Sequence, residues 1–243
     1  MRRPIFKITR NERRVGGRGK LAAAFLLLAV GGLGVAAAPA MAGTVDYTLN
    51  DYVGSGTSSL ASPYGTVALN DNGGPDVTVT VSLASGVGFV NSGAGYSLTW
   101  DLANAPSITV PANSITPGFS LVSSSAGGLS ASGGGTWDYA IDCSTSTCGH
   151  GGNSPYTGPL SFTIDNVALS DFIPNGNGNY FGADVCLGVS NGSCGNGITG
   201  VVVANTAGVP GNSNVPEPAT MVLLGSALFA LAIVRRRGSH RPR

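Results

Sequence analysis

Few residues in this chain are of a type and spacing that could do chemistry. His150 lies in Cys148-Gly149-His150-Gly151-Gly152, and Ser190 lies in a Gly-x-Ser-x-Gly pattern, Gly188-Val189-Ser190-Asn191-Gly192. With an aspartate, the two would make a hydrolase of the serine-nucleophile type. A nucleophile elbow needs a strand before it, a helix after it and its histidine later in the chain. Here His150 precedes the serine, and Cys194 and more glycine follow it. The expectation is therefore a surface histidine and a serine in a turn. Asp138 and Asp142 are four apart, so on a strand they share a face about 13 Å apart. That is too wide for either glycosidase geometry. Trp137, Tyr139 and Tyr156 could stack on a sugar, but core packing is the commoner fate of such residues.

Oxygen-bearing side chains crowd one turn, Asn70-Asp71-Asn72-Gly73-Gly74-Pro75-Asp76. A hard cation such as calcium suits such a loop, with Asp71 and Asp76 as the candidate ligands. The loop lacks the regular ligand spacing and closing glutamate of an EF-hand, and a plain turn is the stronger expectation. The four cysteines are spaced as Cys143-x4-Cys148 and Cys186-x7-Cys194. Zinc would want two to four residues within both pairs, and the second pair is too wide. An even count in an exported chain points to disulfides. Of three possible pairings the two local ones, Cys143 with Cys148 and Cys186 with Cys194, are favoured, because each closes a short polar or glycine-containing loop.

These residues sit in a segment with the pattern of short strands. Asp76-Val77-Thr78-Val79-Thr80-Val81-Ser82-Leu83 alternates apolar and polar residues, as a half-buried strand does. Further strands are expected at Thr44–Leu49, Gly65–Leu69, Tyr96–Asp101, Gly118–Val122, Thr136–Ile141, Leu160–Ile164, Tyr180–Leu187 and Ile198–Ala204. Turn signals such as Ser132-Gly133-Gly134-Gly135 and Asn175-Gly176-Asn177-Gly178 separate them. The fold class implied is all-β, an antiparallel β-sandwich-like domain. Trp100, Trp137, Phe89, Phe162, Phe172, Phe181 and many valines furnish its core, which argues against a disordered glycine-serine spacer.

The ends have a different character. Met1–Lys20 is basic, and Leu21–Val35 is an apolar run. Ala40-Met41-Ala42 fits the small-x-small rule for signal peptidase, with a cut before Gly43. Ala38-Pro39-Ala40 is a second candidate. Arg13-Arg14 raises a twin-arginine route, but Val15-Gly16-Gly17 lacks the hydrophobic pattern expected after it, so the general secretory route is favoured. At the other end, Ala219–Val234 is an apolar run of 16 residues, followed by Arg235, Arg236 and Arg237. As a helix it spans about 24 Å, close to a bilayer core once the arginines snorkel. The positive-inside rule puts the arginines in the cytoplasm and the preceding segment outside.

Removing both ends changes the electrostatics. All 13 Lys and Arg lie at or before Lys20 or at or after Arg235, while 11 of the 12 Asp and Glu lie between Gly43 and Glu217. The mature segment thus has a formal charge of −11, hidden within a whole-chain value of +1. Such a domain repels nucleic acid, which is bound through basic contacts to phosphate.

Immediately before the C-terminal apolar run stands Val215-Pro216-Glu217-Pro218. Its prolines hold it extended and exposed, as a protease recognition site needs. Pro216, Glu217 and Pro218, the short apolar span and the arginine cluster resemble the PEP-CTERM sorting signal of Gram-negative exported proteins. The resemblance implies recognition by an exosortase, a transpeptidase-like membrane enzyme that removes the tail. It also implies association with exopolysaccharide. The stretch from Leu160 to Ala204, with Tyr180-Phe181-Gly182-Ala183-Asp184-Val185 at its centre, loosely resembles the C-terminal part of PEP-CTERM cargo domains and implies shared β architecture.

The organisation expected is a signal peptide at 1–42, a cargo domain at 43–208, a flexible stalk at 209–214 and a sorting signal at 215–243. The precursor is expected in the inner membrane, held transiently by its C-terminal helix, and the product at the cell surface or outside. Its partners would be signal peptidase, exosortase and exopolysaccharide. A non-enzymatic matrix or adhesin-like role leads. A calcium-assisted carbohydrate-binding module is the alternative, and a hydrolase using Ser190, His150 or aspartates comes third.

Overall fold

The computed structural model describes residues 42–210, apart from Ser59, Ser124, Ala126 and Asn196. The first strands are β1 (Thr44–Leu49), β2 (Asp51–Tyr52), β3 (Gly65–Asn70), β4 (Val77–Leu83) and β5 (Val87–Phe89). Next come β6 (Leu98–Leu102), β7 (Phe119–Ser123), β8 (Leu129–Ala131), β9 (Gly135–Trp137) and β10 (Tyr139–Cys143). The last are β11 (Leu160–Ile164), β12 (Phe172–Ile173), β13 (Phe181–Leu187), β14 (Ile198–Ala204) and β15 (Val209–Pro210). One helical turn, α1 (Thr145–Cys148), follows β10.

The alternation read in the sequence sets the first sheet, ordered β11-β4-β3-β1-β15 and antiparallel throughout. Val77, Val79 and Val81 of β4 are fully buried. Opposite them on β11 stand Ile164, Phe162 and Leu160. On the other face Thr78 lies 3.3 Å from Thr163 and Thr80 lies 3.2 Å from Ser161, a cross-strand hydroxyl ladder.

The second sheet runs β2-β14-β13-β6-β10-β7, with β5 paired to β13 and β12 paired to β6. It packs its apolar face on the first, as in a β-sandwich. Trp100 of β6 meets Phe162 of β11 at 5.3 Å between ring centroids, and Tyr47 of β1 meets Phe181 of β13 at 4.9 Å. Burial of such side chains contributes roughly 1.5–3 kcal/mol each, and this core holds the two sheets together.

Unlike the first, the second sheet is covered on its outer face too. The β8–β9 hairpin lays Ala131 and Trp137 over Val201 and Val203. Gly182 lies beneath the same indole: a Cβ there would come within 3.1 Å of it. For this reason β13 and β14 read as near-continuous apolar runs.

The single strand expected over Thr136–Ile141 is two strands. Trp137 packs into the outer layer while Tyr139, two residues on, packs into the central core. A regular strand would put both on one face. The chain turns over at Asp138, whose N–H donates to Oδ1 of Asp101 at 2.7 Å.

The first two residues of the stalk expected over 209–214 are in a strand, and the other four lie outside the described residues. Val209 and Pro210 pair with Asp46 and Val45 as the edge strand β15. Proline has no N–H for a ladder, and an edge tolerates it.

Candidate functional site

Both local disulfides are formed, Cys143–Cys148 and Cys186–Cys194, and no cysteine is free. The first closes α1 onto the end of β10. The second ties the end of β13 to the turn before β14. The loop after the first bond meets the loop closed by the second. Cys194 N donates to Gly152 O at 3.0 Å, and Asn153 and Ser193 form an isolated bridge. His150 and Ser190 are thereby carried on neighbouring loops, and both are exposed. Among the described residues no hydrogen bond joins them. Ser190 pairs by its backbone with Ser193, a tight turn. A strand precedes it, but β14 follows where an elbow needs a helix. Positive φ falls on Gly188, Asn191 and Gly192, and not on the serine.

The most perturbed acid is one to which sequence reading gave no role. Asp184 on β13 is fully buried. Ser92 donates to it through Oγ at 2.6 Å and N at 3.2 Å from Oδ2, and the Gly95 backbone adds a further hydrogen bond. Burial pushes its pKa up to about 6, against the lowering effect of these bonds and with a smaller contribution from the nearby Asp142 charge. Asp142 accepts from Ser97 N at 3.2 Å, Ser97 Oγ at 3.1 Å and Cys143 N at 3.0 Å. It too is raised, first by burial. Asp142 was weighed only as a partner of Asp138, and the sequence signal for Asp184 was its place inside an apolar strand. Its partners come from the loop before β6 and could not be read. Acids held up in this way suit proton transfer, but Asp184 has no face to solvent. Asp138 lies outside β10, at the kink, so the regular strand face that would join it to Asp142 stops at Tyr139.

Trp137 and Tyr139 are core residues, 1% and 0% exposed, so no sugar platform is built from them. The Tyr139 hydroxyl donates to Pro106 O, and burial, with the charges of Asp138 and Asp101, pushes its pKa up to about 12. Tyr156 packs edge-on against Phe119, with centroids 5.2 Å apart.

The Asn70–Asp76 loop is a turn organised by its own side chains. Asp71 Oδ1 accepts from Gly73 N at 2.9 Å and from Gly43 N at 2.6 Å. Asp76 Oδ1 accepts from Asn166 N at 3.0 Å. Both candidate ligands thus serve backbone donors. Among the described residues no three His, Cys, Asp or Glu side chains gather as a metal site. Beside the turn lies an open groove of about 390 Å³, lined by Asp71, Gly74, Pro75, Asn166, Val167, Ala168, Leu169 and Asp171.

The two ends of the domain lie on one edge of the first sheet. Gly43 immediately precedes β1, and β15 pairs with that same strand. The calls that fall on Ala40, Pro216, Glu217, Pro218, Arg235, Arg236 and Arg237 lie outside the described residues. Ala42 is described and exposed. Among the described residues no helix is long and apolar enough to cross a membrane.

Residues 214–237 match the PEP-CTERM protein-sorting motif. This motif is what an exosortase processes, and it supports export with a surface or extracellular destination. No curated protein and no solved structure matches the chain.

Proposed function

We propose that this chain is a non-enzymatic exported cargo protein that ends as an acidic, disulfide-braced β-sandwich in the extracellular matrix, associated with exopolysaccharide. The observation that carries the reading is the sorting motif at 214–237. The charge partition supports it. Every Lys and Arg lies in the end segments, and the part between carries −11. The basic residues serve membrane topology at both ends, and none serves the cargo.

What supports a matrix role is the outer face of the first sheet. Thr48, Thr66 and Ser82 stand in register across β1, β3 and β4, and all are exposed. Beside them run Thr80 with Ser161 and Thr78 with Thr163. Hydroxyl rows on an anionic domain suit a neutral polysaccharide. An anionic polymer would be repelled.

The test is the mass of the exported protein. The expected species has lost both ends, and Glu217→Ala is expected to leave a precursor in the inner membrane. Normal release of that variant would overturn the sorting role of the motif. Co-sedimentation of the mature protein with neutral exopolysaccharide, and not with an anionic one, checks the association.

A further inference from the structure

Gly43 is gripped at both of its backbone groups by one residue. Its nitrogen donates to Asp71 Oδ1 at 2.6 Å, and its carbonyl accepts from Asp71 N at 3.2 Å. The space around it is cut for glycine. A Cβ at this position would lie 2.8 Å from Leu169 Cδ1 and 3.1 Å from Asp71 Oδ2. The carboxylate of Asp71 is therefore an anionic cradle for one backbone nitrogen, in a segment with no Lys or Arg.

We propose that this cradle is a receptor for the chain's own new N-terminus: after a cut between Ala42 and Gly43, the α-ammonium of Gly43 is the counter-ion of Asp71. The proposal rests on signal-peptide removal at that bond. Water is the only co-reactant. Its oxygen joins the carbonyl carbon of Ala42, which departs as a carboxylate. The peptide nitrogen keeps its electron pair and takes up protons to become an ammonium. Before the cut, Asp71 holds a neutral amide. Afterwards it holds a cation with three donors, and a charge-assisted bond is roughly twice as strong as a neutral one. Processing then fastens the start of β1 to the β3–β4 turn. A cut before Met41 would leave two residues ahead of the cradle and no cation in it.

The chemistry of the mature chain makes this easy to read. Both lysines, Lys7 and Lys20, leave with the signal peptide, so the α-amine is the only amine of the processed protein. The experiment takes the processed protein from outside the producing cells, sequences its N-terminus, and follows acylation of its amine by an amine-reactive ester at pH 7. The expected result is a chain starting at Gly43 whose amine reacts about tenfold or more slowly when folded than in guanidinium, because a paired ammonium holds its proton. Asp71→Asn keeps an Oδ1 acceptor for Gly43 and Gly73 and removes only the charge, so its folded rate should rise towards the unfolded one. Equal folded and unfolded rates in wild-type protein starting at Gly43 would overturn the ion pair and leave the cut standing. A chain starting at another residue would overturn the cut itself and the pairing with it.

Discussion

The hydroxyl of Ser92 lies 2.6 Å from Oδ2 of Asp184, where a buried carboxylate ordinarily finds an arginine or lysine. Serine offers dipoles and no charge, so burial dominates and the acid is raised to about 6. An acid that is weaker folded than unfolded adds stability that is complete below its unfolded value of 3.8 and is lost as pH rises through about 6. The window is therefore about pH 4 to 6, and the effect at most about 3 kcal/mol. Asp142 and Asp101, also raised by burial, act in the same direction. The melting temperature of the mature domain should rise as pH is lowered from 7 towards 4. Asp184→Asn keeps an acceptor for Ser92 and should flatten this rise. A melting temperature that falls steadily over that range would contradict the account.

The disulfides brace the two loops that meet at Gly152 and Cys194. Each closes a short loop, 5 and 8 residues apart in sequence, so each should add roughly 2–3 kcal/mol. Replacing both Cys186 and Cys194 with serine should lower stability by that amount and loosen the loop that carries His150, since the two loops share a hydrogen bond. Denaturant titration gives the first quantity. Amide exchange at Gly152 and Asn153 gives the second.

The outer layer rests on one side chain. Trp137 is 1% exposed and seals Val201 and Val203. Trp137→Ala should cost about 3–5 kcal/mol. Phe162→Ala, in the central core, should cost a similar amount. They should part in hydrogen exchange. Trp137→Ala should speed exchange first in β8, β9 and β14, because the β8–β9 hairpin pairs with no other strand of the two sheets. Uniform loss of protection across both sheets would mean that the outer layer has no separate stability.

How much of this was legible follows from how local each cause is. β1 and β11 begin and end where alternation and flanking turn residues put them, because period-two burial is written in consecutive residues, and β14 keeps its expected bounds as a short apolar run between turn residues. The disulfides were legible because short loops leave little choice of partner. The outer layer was not. Nothing in Trp137-Asp138-Tyr139 marks that the chain turns over at Asp138, since the cause is a side chain 37 residues away, Asp101. β5 and β12, at three and two residues, are too short to carry a period and exist only because β13 and β6 receive them. The buried Asp184 and its Ser92 partner are 92 residues apart, beyond any local pattern. The Gly43–Asp71 contact was missed for the same reason, although both residues had been singled out for other roles.

The last prediction sets calcium against salt in general. The mature segment carries −11 with no Lys or Arg, so its carboxylates repel one another and any salt should raise its melting temperature by screening. A specific calcium gain requires a loop with several free carboxylate oxygens. The two best-placed acids are already engaged: Asp71 Oδ1 with Gly43 and Gly73, Asp76 Oδ1 with Asn166. Calcium would have to compete with these backbone donors and with the turn they hold. Sodium chloride and calcium chloride at matched ionic strength should therefore give equal gains, and Asp76→Asn should not distinguish them. A larger gain with calcium, lost in Asp76→Asn, would show that the turn opens to take the ion and would favour a calcium-assisted binding module over a plain matrix protein.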